Sequence, residues 1–304
     1  MATIEDVAPG PEVKPRRKLT GYWLILPTVV WLGLFFVIPF YSLVSSSLFD
    51  PNGSVLGGYD MTYHFANYWD ALKEYKGELW RSLWYAAVAT VSCLVIGYVL
   101  AYAIAFKAGR WKNLLLILVI APFFTSFLLR TLSWKLILAD DGVVVGFAKW
   151  IHFTDLLNLV GLVDGNEKLL ATPFAVIAGL TYNYLPFMVL PLYASLEKID
   201  FRLIEASSDL YASPFRGFLR VTMPLSLPGV VAGTLLTFIP AAGDFINAQL
   251  LGNTGTRMVG GEINSLFGTQ GDYAAAGALS VTLMLIILVM VLAWVRTAGT
   301  EDLV

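Results

Sequence analysis

The chain alternates long uncharged apolar stretches with short charged ones. A membrane-spanning helix needs about 20 predominantly apolar residues, and six runs approach or exceed that: 21–49, 82–106, 113–129, 169–196, 221–243 and 273–295. The third is the shortest and is expected to continue past Arg130 through Trp134 to Ala139. Pro27, Pro39, Pro122, Pro186 and Pro191 lie inside these runs; membrane helices tolerate them because neighbouring groups re-satisfy the freed backbone. Gly229 and Gly233 form a GxxxG spacing in the fifth run. That spacing permits close helix contact, but it recurs by chance and carries little weight alone. The pattern predicts an all-α integral membrane protein with six transmembrane helices.

Charge placement orients those spans. With the N-terminus in the cytoplasm, the inner segments 1–20, 107–112, 197–220 and 296–304 hold 12 Lys and Arg. The longer outer segments 50–81, 130–168 and 252–272 hold 8 basic and 12 acidic residues. Basic residues concentrate on the cytoplasmic side of membrane proteins, so both termini are expected inside a cell (plasma or inner) membrane. Lys14-Pro15-Arg16-Arg17-Lys18 precedes a run much longer than the 7–15 residues of a cleaved signal core. It reads as the basic anchor of an uncleaved first helix, behind a disordered tail over 1–13.

Composition narrows the class. Of 304 residues, 57% are hydrophobic and 14% charged, against roughly 25% charged in soluble domains. A net charge of −2 argues against a nucleic-acid partner, which selects a basic face. Cys93, the one cysteine, excludes disulfide and CxxC chemistry. His64 and His152 stand in separate polar segments, so no metal site is expected. No Gly-Lys pair occurs, so a G-x-x-x-x-G-K-[ST] phosphate loop is impossible and the chain is not expected to be an enzyme.

The segment 197–228 is the longest inner loop between spans and reads as two short helices. Asp200 is a good N-cap for Phe201–Leu210, and Ser213-Pro214 marks a second start, since proline favours the first helical position. Pro224 and Pro228 then end that helix and return the chain to the membrane. Glu205-Ala206-Ser207, Asp209-Leu210-Tyr211, Ser213-Pro214 and Val221-Thr222-Met223-Pro224 resemble the EAA loop of ABC importer permeases, E-A-A-x3-G-x9-I-x-L-P. Glu205, Ala206 and Pro224 match at the right spacing; Ser207, Val221 and Met223 are mild changes. Tyr211 stands at the usual glycine, where a left-handed turn admits tyrosine only with strain.

The resemblance covers roughly 78–295. It implies the type I importer permease fold, with a tail over 1–20, a first helix over 21–49, a coupling loop at 197–228 and a tail over 296–304. It also implies that Glu205, Ala206, Ser207, Asp209, Leu210, Tyr211, Ser213 and Pro214 meet a separate ATPase. The implied partners are a second permease subunit (a related chain, giving a heterodimer), two ATPase subunits and an extracytoplasmic binding protein. ATP and Mg would sit on the ATPases, with no cofactor in this chain. Segments 122–134 and 238–252 resemble the spermidine/putrescine branch, and parts of them are shared with importers of iron and other small solutes.

Asp244 is the one acid inside an apolar run. An acid at mid-membrane costs about 2.5–3.5 kcal/mol on insertion scales, less near the edge, so it should face a cavity or a partner. Two roles follow: an electrostatic stop for a cationic solute, or a structural pair with Arg130, the more ordinary explanation. Trp134, Tyr182, Asn183 and Tyr184 are candidates to line the same path, since aromatic faces attract ammonium groups; for each alone, packing or interfacial anchoring is the commoner role. A secondary transporter using Asp244 stays open as an alternative, although no half-to-half repeat is evident.

Overall fold

The computed structural model describes residues 19–163, 168–209 and 211–297. Most of the tail 1–20, Leu210 in the coupling segment, and residues 298–304 of the C-terminal tail lie outside that description. Among the described residues no strand forms, only the isolated bridges Phe49–Met61 and Ser54–Gly58. Contacts divide the chain between Val44 and Ser45. In the first unit α1 (Leu19–Leu32) continues through a π turn at Gly33–Val37 into α2 (Ile38–Ser46). Its side chains are almost all apolar, with the Trp31 and Phe35 rings 4.3 Å apart.

The second unit is mainly helical after an irregular stretch over 47–65. In chain order it contains α3 (Ala66–Glu74), α4 (Lys76–Phe106), α5 (Lys112–Ile120), α6 (Phe127–Ile137), α7 (Val143–Trp150) and α8 (Phe153–Leu159). Then follow α9 (Pro173–Leu196), α10 (Phe201–Asp209), α11 (Pro214–Gly217), α12 (Met223–Leu225) and α13 (Leu227–Ala242). The short α14 (Ile246–Leu251) and α15 (Val259–Ser265) lead to α16 (Tyr273–Thr297).

The long helices α4, α9 and α13 pack mutually and form the centre. On α4, Ala86, Ala89, Cys93, Gly97 and Ala101 recur at three- and four-residue spacing, which places them on one face, and all are buried. This stripe of small residues receives Leu180, Met188, Val189 and Leu192 of α9. On α13 a Cβ at Gly229 would lie 2.7 Å from the Pro191 carbonyl oxygen, and one at Gly233 2.7 Å from Met188 Sδ. The GxxxG spacing is therefore a real contact, holding α13 against α9 at a distance no larger residue permits.

Four helical stretches are long and apolar enough to cross a membrane: Ile25–Ser46, Lys76–Phe106, Pro173–Leu196 and Tyr273–Thr297. Two bent pairs raise the number to six if each is one span. The first departs from the expectation that the third run continues smoothly to Ala139. The chain turns by 95° between Gly109–Phe124 and Phe127–Ile137, because Pro122 lacks a backbone donor and Thr125 and Ser126 adopt extended conformations. The second bend, 66°, separates Pro214–Leu225 from Leu227–Ala242, so the fifth apolar helix begins at Leu227 rather than Val221.

Candidate functional site

Two groups of side chains stand out, one in the segment 197–228 and one around Asp244. In the first, the Arg202 amide donates to Asp200 Oδ1 at 3.0 Å, so Asp200 caps α10 as its sequence implies. Ser213 caps α11, accepting from the Arg216 amide at 3.4 Å. Between the helices Tyr211 adopts φ +59°, and the Ala212 amide donates to the Ser207 carbonyl at 3.1 Å. That six-to-one bond beside a left-handed residue is the Schellman helix ending. Tyr211 therefore keeps the turn that glycine usually makes, with its ring almost fully exposed.

Ser207 Oγ donates to the Ile204 carbonyl and lies where a Cβ on Gly217 would fall, at 2.8 Å, so α10 and α11 meet at Ser207. Glu205, Ala206, Asp209, Ser213 and Pro214 are exposed. The segment is fastened to the centre by Phe218, whose ring meets Tyr98 edge-on at 5.3 Å, and by Ser226, whose hydroxyl lies 2.6 Å from that of Tyr98. Lys112 at the start of α5 pairs with Glu197 at 2.6 Å, where the segment begins. A stiff bracket with an exposed polar edge results, tied to α4 and α5.

The second group is buried. Asp244 lies just beyond α13 and caps the start of α14, accepting from the Asn247 amide at 2.8 Å on Oδ1. Its Oδ2 accepts from the Tyr184 phenol at 3.0 Å and from Asn247 Nδ2 at 3.1 Å. Asn247 Oδ1 in turn accepts from Asn183 Nδ2 at 3.1 Å, and Asn183 Nδ2 also lies 3.2 Å from Thr131 Oγ1. Asn183 Oδ1 has no partner. The group joins α6, α9 and α14 through hydrogen bonds.

Arg130 does not pair with Asp244. Its guanidinium carbon lies over Phe123 and Phe127 at 5.5 and 5.6 Å, and its buried Nε and Nη1 have no hydrogen-bond partner. The expected structural pair is corrected: three protein donors already occupy the carboxylate, while Arg130 rests on aromatic faces. Trp134 and Tyr182 do meet, with rings 5.5 Å apart, beside the cluster rather than within its hydrogen bonds. Sequence reasoning named Asp244, Asn183 and Tyr184 but missed Asn247 and Thr131. The available signal for Asn247 was the Asp-x-x-Asn spacing, the span between an N-cap residue and the amide it accepts from.

Broken apolar helices around a three-helix centre, with a bracket of two short helices before the fifth apolar helix, define the fold of an importer permease. The chain belongs to the family of binding-protein-dependent transport system inner membrane components, whose profile matches residues 88–298. That membership replaces the secondary-transporter alternative. The chain is 35% identical over 267 residues to the spermidine/putrescine transport system permease protein PotB of Haemophilus influenzae, covering 88% of this chain and 90% of that one. It is 36% identical over 276 residues to PotB of Salmonella typhimurium, covering 90% and 92%. It is 30% identical to the inner membrane ABC transporter permease protein YdcU of Escherichia coli, covering 92% and 86%. Its fold matches a chain of a bacterial ABC transporter that imports the acidic polysaccharide alginate, with a TM-score of 0.69 at 16% identity over 94% and 96% of the two chains. The MetNI methionine ABC transporter gives 0.52 at 20% identity over 73% and 93%.

Proposed function

We propose that this chain is one permease subunit of an ATP-driven polyamine importer, carrying spermidine or putrescine. The observation that carries this reading is the 35–36% identity to PotB over about nine-tenths of both chains, which includes the Asp244 region and the bracket as well as the helical frame. Asp244 suits a cationic solute, because its carboxylate is held by neutral donors and meets no basic side chain. Trp134 and Tyr182 supply aromatic faces nearby. Arg130, whose charge is not spent on Asp244, lies on the same side of α6 as Trp134, four residues on.

In this reading a second, related permease completes the path, two ATPase subunits bind the bracket around Glu205, and an extracytoplasmic binding protein delivers the solute. ATP and Mg reside on the ATPases. The basic asymmetry of the loops supports cytoplasmic termini. The test is ATP-dependent uptake of radiolabelled spermidine by proteoliposomes that contain the whole transporter, with and without binding protein. Saturable uptake that needs both ATP and binding protein is expected. Uptake of another solute class with none of spermidine or putrescine overturns the reading.

A further inference from the structure

A second polar site lies beside the Asp244 cluster and plays no part in it. Residues of α14, α15 and the segment joining them enclose a cavity of about 410 Å³. Its lining includes Gln249, Asn253, Asn264 and Ser265, with Glu262 and Arg257 as the one acid and the one base. Glu262 is buried, its side chain 12% exposed, whereas Arg257 is 58% exposed and reaches Glu262 Oε1 with Nη1 at 3.2 Å. An exposed cation thus covers a buried anion. Buried carboxylates are paired because an isolated one is too costly to hold charged, yet this partner is one that water and an entering cation can replace.

The position of α14 connects the two sites. Phe245, Ala248, Gln249 and Gly252 line the cavity, a spacing of three, four and seven that places them on one helical face. Asp244 and Asn247 lie on the adjoining face and belong to the buried cluster. A Cβ on Gly260 would lie 3.2 Å from the Asp244 carbonyl oxygen, so the start of α15 touches the Asp244 turn directly. One short helix therefore carries a wall of the polar cavity on one side and the partners of a buried carboxylate on the other.

We propose that the cavity is a holding site for one ammonium group of a linear polyamine, with Glu262 as its anion, Arg257 as the side chain it displaces, and Gln249 and Asn264 as acceptors for the remaining N–H groups. A solute with two or more ammonium groups can engage Glu262 before another of its nitrogens reaches Asp244, which suits a path that must hold its cargo weakly at several points. This inference rests on the polyamine reading above.

The pair gives opposite expectations for its two members. The whole transporter, purified without binding protein, is titrated with radiolabelled spermidine. Glu262→Gln should weaken binding by about tenfold or more, a difference of about 1.4 kcal/mol, while Arg257→Gln should leave it unchanged or tighten it. ATPase stimulation by loaded binding protein checks that both variants assemble. If Glu262→Gln does not assemble, Gln249→Leu and Asn264→Leu remove acceptors from the cavity, and each should weaken binding severalfold. Equal loss of binding in the Glu262 and Arg257 variants would show that the pair only supports the fold. Unchanged affinity in Glu262→Gln, or in both leucine variants, would remove the cavity from the path. Wild-type transporter that takes up neither spermidine nor putrescine with binding protein present overturns the polyamine reading itself, and this inference with it. Intact wild-type uptake with insensitive variants overturns the cavity alone.

Discussion

At Asp244 the carboxylate has three protein donors and no basic partner, which separates two accounts of the residue. Asparagine at 244 still accepts from the Asn247 amide, and the Tyr184 hydroxyl can turn to accept from it. One hydrogen bond to Asn247 Nδ2 is lost, a cost of about 1–3 kcal/mol for a buried group, partly offset because no charge is buried. Asp244→Asn should therefore leave the complex assembled and depress spermidine uptake several-fold, and Arg130→Gln in the same background should not restore it. Recovery of uptake in the double variant would remove Asp244 from the solute path. Tyr211 offers a second test at this scale. A non-glycine residue in the left-handed region costs about 1–2 kcal/mol, while glycine costs about 0.4–1 kcal/mol through the unfolded chain. Tyr211→Gly should leave the melting temperature of the purified complex unchanged or slightly raised, whereas Tyr211→Val, β-branched at the same φ, should lower it.

Among elements, the contact of α13 with α9 is set by two glycines. A side chain at Gly229 collides with the Pro191 carbonyl, a backbone atom that cannot swing aside, so overpacking by about 1–3 kcal/mol is the minimum expected. Gly229→Val should lower the thermal midpoint of the complex more than Gly33→Val, where a Cβ meets nothing within 4 Å. The bracket of α10 and α11 supplies the complementary case. Glu205 is exposed and makes no hydrogen bond or ion pair among the described residues, so Glu205→Ala should keep the fold and lower ATPase stimulation by loaded binding protein. Full stimulation in that variant would remove the bracket from the coupling path. These elements also mark what could be read from the chain. Caps at Asp200 and Ser213 were legible because a single side chain and a nearby amide decide them. The glycine pair was visible as a spacing, but which helix it meets depends on contacts 38 and 45 residues away, at Pro191 and Met188. The bend at Thr125–Ser126 was hidden because hydropathy averages over it: the residues on both sides are apolar, and only the extended backbone of two residues redirects the helix. The Asp244–Arg130 pair, the more ordinary of the two roles open to Asp244, does not form because three neutral donors, none visible as a charge, reach the carboxylate.

For the whole molecule the open quantity is how many times the chain crosses the bilayer, and the two bent helix pairs decide it. If each pair is one span there are six, and if neither crosses there are four. Asp60, Asp141 and Ser213 are exposed and lie in three different connections, so single cysteines placed there distinguish the cases. Cys93, the one native cysteine, is fully buried on α4 and can be replaced by alanine to remove background. With six spans and a cytoplasmic N-terminus, a membrane-impermeant maleimide applied to intact cells should label Asp60→Cys and Asp141→Cys but not Ser213→Cys. With four spans and the same N-terminus, the chain re-enters the cytoplasm after Phe106 and leaves it after Leu196, so Asp60→Cys and Ser213→Cys would label and Asp141→Cys would not. Reversing the N-terminus inverts each pattern, so four and six spans in either orientation give four different results. Six spans are expected because the segment 107–112 is basic while 130–168 carries more acids than bases. The bent pair between those segments must cross the bilayer if each is to lie on the side its charge favours. The same argument applies to the basic end of the bracket, Arg216 and Arg220, and the acidic stretch 252–272, with the apolar helix Leu227–Ala242 between them. Labelling of Ser213→Cys from outside would break both inferences together, because it would put the bracket on the face opposite the ATPase.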